Sequence, residues 1–167
     1  MALEGQGIIA TYNDSSSPTL TNVTISGNSG PEAIAHYDRA ITLTNVTLAE
    51  NTGKGLSLHA SATLLLRNTL LAYNTGGNCA AALSGTLLTS LSTDMTCALA
   101  NGHDGVSLTL SALGNHGGPT LTHMIAPGSP AQDHGGFCPA TDQRGFSRSS
   151  PAAGLACDIG AVERQAG

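Results

Sequence analysis

The sequence predicts an all-β chain: a right-handed, single-stranded parallel β-helix of 23-residue coils, followed by a loop-rich, disulfide-stapled C-terminal cap. Three observations lead there. Near-identical segments recur every 23 residues, charged and aromatic residues are scarce, and four cysteines fall into two local pairs.

The repeat is the strongest of the three. LTNVTISGNSG at 20–30, LTNVTLAENTG at 43–53 and LRNTLLAYNTG at 66–76 align without gaps. Leu20, Leu43 and Leu66 share a column; Asn22, Asn45 and Asn68 form a second, Asn28, Asn51 and Asn74 a third, and Gly30, Gly53 and Gly76 a fourth. A helical hairpin repeat needs about 34 residues, and the leucines do not follow the L-x-x-L-x-L spacing of a leucine-rich repeat. Short runs of Thr, Val, Ile and Leu broken by Asn and Gly do suit one coil of a β-solenoid, each coil lying about 4.8 Å from the next. Stacked asparagines then bond to their equivalents above and below while their backbone takes the turn conformation Asn tolerates.

Alternation along each strand assigns the faces. With Arg67 outside, and Thr21 and Thr44 in its column, the interior receives Leu20, Val23, Ile25, Ile41, Leu43, Val46, Leu48, Leu64, Leu66 and Leu71. A partial coil, GQGIIATYN, opens the stack at residue 5. Its free upper edge is expected to be covered by residues 1–4, by a second copy of the chain, or by further coils of a longer parent. The coils occupy residues 1–77. Beyond Gly77 the period is lost, and residues 78–167 form one continuous domain with the coils, in which Val106–Leu113 and Leu155–Val162 are placed to add a last coil or plug its end.

Composition narrows the function. Of 167 residues only 10% are charged, and the net charge of −5 carries no basic cluster, which excludes nucleic acid as an expected partner. No apolar run reaches the roughly 20 residues of a membrane span, and MALEGQGIIATYN has neither the basic nor the apolar region of a signal peptide. Cys79 with Cys97 and Cys138 with Cys157 close loops of 18 and 19 residues, each stabilising by roughly 3 kcal/mol. Two other connectivities and four free thiols remain open, while zinc is disfavoured by the lack of a C-x-x-C pair. An even cysteine count fits an exported protein, and Met1 reads as a start inside a longer, exported parent.

Several C-terminal motifs resemble those of the bacterial choice-of-anchor Q family: LTNVTISGNSG, Asn78-Cys79 followed by Cys97, GGPTLTH at 117–123, PGSPA at 127–131, CPATDQRG at 138–145 and CDIGAVE at 157–163. The resemblance spans nearly the whole chain. It implies a secreted or surface-anchored right-handed β-helix in bacteria and no established reaction. Relatives usually read SPAIDAG where this chain places Gln132 and His134, and His116 is inserted into the usual N-G-G. No anchoring signal is recognisable before Gly167.

Two groups of residues suit chemistry. The 23-residue period puts His36 and His59 in one column beneath Asn13, with Asp38 aligned to Ser15 and Ser61 and with Asp14 close by. Two imidazoles with Asp14 and Asp38 could hold a divalent metal, calcium or zinc, or pair a general base with an acid; otherwise they make a hydrated polar turn. In the cap, His116, His123, Asp133, His134, Asp142, Arg144 and Asp158 gather. Asp133-His134 matches only the end of the H-x-H-x-D-H zinc motif. For Asp142, Arg144 and Asp158 the expected role is an Arg fork that holds the disulfide loops together. Among the serines no G-x-S-x-G elbow occurs, and none can be matched to a His and Asp. Calcium would need a site assembled from separate coils.

Two functions follow from different classes. One is an extracellular surface or adhesion-like module without turnover. The other is a small secreted metal-dependent hydrolase acting through His36, His59, Asp133 or His134 on a small ester or lactone, or less readily on a glycan, for which the chain lacks aromatic platforms. Ice binding through a Thr ladder is interrupted by Arg67.

Overall fold

A computed structural model describes residues 9–11, 17–148 and 156–165. Seven strands build one parallel sheet that winds into a solenoid: β1 (Ile9–Thr11), β2 (Thr19–Ser26), β3 (Glu32–Ala49), β4 (Lys54–Arg67), β5 (Leu70–Ala72), β6 (Thr86–Leu88) and β7 (Leu91–Ser92). Equivalent residues stack from coil to coil: Leu20 on Leu43, Leu43 on Leu66 and Leu66 on Leu87; Ile25 on Leu48, Leu48 on Leu71 and Leu71 on Ser92. Hydrogen bonds therefore run along the solenoid axis, which is the only direction in which a 23-residue turn of strand can find partners.

Each column has a physical reason. Asn22, Asn45 and Asn68 turn a corner at φ of 55°, 51° and 47°, a left-handed conformation that Asn tolerates better than other side chains. The second asparagine column forms a buried amide ladder. Asn28 Nδ2 donates to Asn51 Oδ1 at 2.9 Å, Asn51 Nδ2 to Asn74 Oδ1 at 2.8 Å, and Asn74 Nδ2 to Asn78 Oδ1 at 2.9 Å. Gly53 is glycine because turns stacked this closely leave no room. A Cβ there would lie 2.0 Å from the Gly30 carbonyl oxygen.

The interior holds Ile25, Ile41, Leu43, Val46, Leu48, Leu64, Leu66 and Leu71, with Leu20 and Val23 half-buried against them, as the alternation predicts, and Ile34 and Leu56, which it does not name, join them. Both local disulfides form, and Cys79–Cys97 closes the lower end of this core beside Leu99.

Two expectations are revised. The coil expected beyond Gly77 forms earlier than Val106–Leu113 or Leu155–Val162, because Leu56 bridges to Cys79 and β6 and β7 complete a fourth coil. Its spacing shortens, Leu87 lying under Leu66 and Ser92 under Leu71, and Thr89 (φ 42°) replaces asparagine at the corner, donating its hydroxyl to Asn68 Oδ1 at 2.6 Å. A gapless alignment cannot see a coil that has lost two residues. Nor does the C-terminal segment plug the end. It lies along the side of the solenoid, where Ala49, Leu70, Ala72 and Leu91 on the outer sheet face meet Leu108, Ile125, Ala131 and Ile159 in a second core.

Candidate functional sites on the lateral strap

The strap, residues 135–148 with 157–163, is held by the asparagine corners of three successive coils. Asn22 Nδ2 donates to the Thr141 carbonyl at 2.7 Å; Asn45 Nδ2 to the carbonyls of Asp158 and Gly160 at 3.1 and 3.2 Å; Asn68 Nδ2 to that of Gly136 at 2.8 Å. The left-handed corner turns these amides outward, so the residues that bend each coil also dock the strap.

Its charged residues tie the segments of the strap to one another, and Arg148 also reaches a corner. Asp142 Oδ2 accepts from Arg144 Nε and Nη2 at 3.0 and 2.8 Å and from the Glu163 backbone N–H at 2.9 Å, while Oδ1 accepts from the N–H groups of Arg144 and Phe146. That bidentate fork is the one expected, but it holds Asp142 alone. Arg148 forms a second ion pair, through one bond. Its Nη1 reaches Glu163 Oε2 at 3.1 Å and its Nη2 reaches Asn22 Oδ1 and the Gly160 carbonyl at 3.0 and 2.9 Å. Burial draws the Arg148 guanidinium below its ordinary value, opposed by the charges of Glu163, Asp142 and Asp158. Glu163 closes the CDIGAVE stretch but Arg148 stands in no recognisable motif, and only the fold reveals the pair.

Asp133, Asp158 and Glu163 bring one carboxylate oxygen each within 4.8 Å of the others, the spacing of a cation site. Burial pushes Asp158 up from its ordinary 3.8 to about 6, against N–H donors from Arg164 and Asp133, and the charges of Glu163 and Asp133 add to the rise. Those donors already occupy Asp158: Oδ1 accepts from Asp133 N at 2.8 Å and Oδ2 from Arg164 N at 2.6 Å. Glu163 Oε2 is taken by Arg148 and by the Asp158 N–H at 2.9 Å. Both oxygens of Asp158 and Oε2 of Glu163 thus already accept hydrogen bonds.

The predicted histidine column does not assemble. A β-bulge between His36 and Asp38 sets His36 beside Thr11 and Leu58, so its side chain enters the solenoid core with only 1% exposed. Its Nδ1 pairs with Thr11 Oγ1 and its Nε2 is buried without a partner. His59, shifted by the same bulge, faces outward and stacks on Tyr37 with ring centroids 3.8 Å apart. Asp38 does align with Ser61, whose hydroxyl donates to Asp38 Oδ1 at 3.0 Å. Asn13, Asp14 and Ser15 lie outside the described residues. From Glu32 to His36 the offset to β4 is 22 residues and it returns to 23 at Asp38, so a strict 23-residue count misplaces the two histidines relative to each other.

In the other group, exposed His134 donates from Nδ1 to the Gln132 carbonyl and lines a cavity of about 270 Å³ with His103, Thr89, Leu91, Val106 and Pro130. Asp133 points elsewhere, its side chain exposed and 3.3 Å from Gln132 Nε2. His116 pairs with Ser111 Oγ at 2.9 Å. His123 is buried and pairs with Ser26, a contact across 97 residues that no local motif announces.

Compared with family models, with curated proteins and with solved structures, the chain matches none. What stands is a parallel β-solenoid with two disulfides, which fit an oxidising, extracellular setting, and among the described residues no helix long and apolar enough to cross a membrane.

Proposed function

We propose that this chain is an extracellular β-solenoid module of surface or adhesion-like type, in keeping with its resemblance to the choice-of-anchor Q family. One observation carries the reading: the carboxylates that could have formed a metal centre are engaged in holding the segments of the strap to one another, and Arg148 carries that network to a coil through Asn22. Asp142, Asp158, Glu163, Arg144 and Arg148 point into one another and into backbone groups. Exposed positions on β3 and β4, such as Arg39, His59, Ser61 and Thr63, present a short polar face for contact with a partner.

The alternative, a metal-dependent hydrolase of small esters, lactones or glycans, draws no support from the His36/His59 geometry. Elemental analysis of the purified protein, with melting and a hydrolysis screen in the presence and absence of chelator, separates the two. The module reading expects a chelator-independent Tm and no chelator-sensitive turnover. One bound calcium or zinc per chain, whose removal abolishes hydrolysis, would replace it with the metalloenzyme.

A further inference from the structure

The geometry points to Ser26 as an activated nucleophile, with His123 as its general base, able to take an acyl group from small esters without a metal. Four observations combine. Ser26 Oγ lies 2.6 Å from His123 Nε2. On the far side of the ring, His123 Nδ1 lies 2.7 Å from the Ser111 carbonyl oxygen. A carbonyl only accepts, so Nδ1 carries the hydrogen, and in the neutral ring Nε2 is left with the lone pair that accepts the Ser26 O–H. The tautomer needed for proton abstraction is thereby imposed by the backbone, the task that an orienting carboxylate performs in a Ser-His-Asp triad.

Burial supplies the third element. The His123 side chain is wholly enclosed between the solenoid and the 111–125 hairpin, whereas Ser26 ends β2 half-exposed. Glu50 Oε2 stands 4.0 Å from Nε2, placed to stabilise the imidazolium once the proton arrives. Fourth, the serine end of the pair reaches solvent. Ser26 is half-exposed, and the chain beyond it turns away at exposed Gly27, φ 68°. An electrophile can approach Ser26 from the solvent side. The Glu50 carboxylate favours neutral or cationic substrates over anionic ones.

The reaction closes on itself. The Ser26 oxygen attacks the ester carbonyl carbon as its proton passes to His123 Nε2; the C–O bond to the alcohol breaks, and the alcohol leaves with that proton. Water then attacks the acyl-Ser26, His123 again taking and returning one proton, to release the carboxylic acid. Ester and water become acid and alcohol.

The test is labelling of the intact protein with a fluorophosphonate, which a nucleophilic serine attacks at phosphorus with loss of fluoride, followed by peptide mapping. Ser107, exposed and without a histidine partner, is the internal reference. Modification of Ser26 at least 100-fold faster than of Ser107, abolished in Ser26→Ala and unaffected by chelator, is expected. Equal rates at the two serines, or no adduct at Ser26, overturn the assignment and leave the pair as a docking contact. His123→Gln, checked for its circular dichroism, brings Ser26 to the Ser107 rate; an unchanged ratio in the folded variant refutes the base. Where that variant fails to fold, Glu50→Gln lowers the ratio several-fold, and an unchanged ratio counts against the assembly.

Discussion

Replacing Asn51 with alanine removes the centre of the buried amide ladder. Its Oδ1 accepts from the backbone N–H and the Nδ2 of Asn28, at 3.1 and 2.9 Å, and its Nδ2 reaches the carbonyls of Ile25 and Ala49 and the side chain of Asn74. Some partners keep a second bond: Asn28 Nδ2 still reaches the Ser26 carbonyl, and the Ala49 carbonyl still accepts from Gly27 N. The loss therefore falls mainly on Asn28 N–H, since the Ile25 carbonyl keeps the ladder bond from Ala49 N–H that the parallel pairing of β2 with β3 provides. At about 1–3 kcal/mol for a group left short of a partner, Asn51→Ala destabilises by about 2 kcal/mol. With an m-value of about 2 kcal/mol/M, the urea midpoint followed by far-UV circular dichroism falls by about 1 M. Asn51→Asp is worse at neutral pH, since a carboxylate oxygen would then face the acceptors of Ile25, Ala49 and Asn74, and the gap to alanine narrows in acid as a carboxyl proton restores one donor. A loss under about 1 kcal/mol for alanine, or equal stability of the two variants at pH 7, would refute the ladder as a stabilising element.

Three further outcomes follow from the same geometry. His36→Leu replaces a buried imidazole whose Nε2 has no partner with the residue type beneath it, Leu58; despite the lost Thr11 contact, stability is expected to hold or rise by about 1 kcal/mol in chemical denaturation, and a loss above 1 kcal/mol would show a role for the imidazole. Because Asp158 is raised from 3.8 to about 6, the folded state holds its proton more tightly, so its contribution is full below pH 3.8 and is lost as pH rises to about 6. Asp158→Asn should remove that decline, about 1–2 kcal/mol after solvent screening, and superimposable stability–pH profiles of variant and parent would exclude it. Asn45→Gly keeps the left-handed corner while deleting the amide that binds Asp158 and Gly160, so hydrogen exchange should speed up across 157–163 with the coils intact, whereas Asn45→Ala adds about 1 kcal/mol of backbone strain; unchanged exchange in the glycine variant would refute the docking role.

The coils were legible because their constraint is local and periodic. Leucine, asparagine and glycine each recur where a stacked turn admits little else, so the columns name the core and the ladder before any coordinate is known. Two features escaped because they break the period: the bulge that turns His36 inward and His59 outward, and the fourth coil, shortened between Arg67 and Ser92. The Asp142–Arg144 fork could be read because its partners lie two residues apart. Arg148 with Glu163, and Ser26 with His123, meet only after the strap and the 111–125 hairpin have folded back on the solenoid, and nothing in a single sequence carries that information.

Stacked-coil proteins are ordinarily one-dimensional: each repeat touches its neighbours, ends fray, and length changes by duplication without penalty elsewhere. The strap alters this. By gripping Asn22, Asn45 and Asn68 at once it measures out three consecutive coils, so an inserted or deleted coil would throw its carbonyls out of step with the corners they meet. The solenoid is thus bound to melt as one unit and is fixed in length along the strapped side, with growth confined to coils beyond the strap's reach.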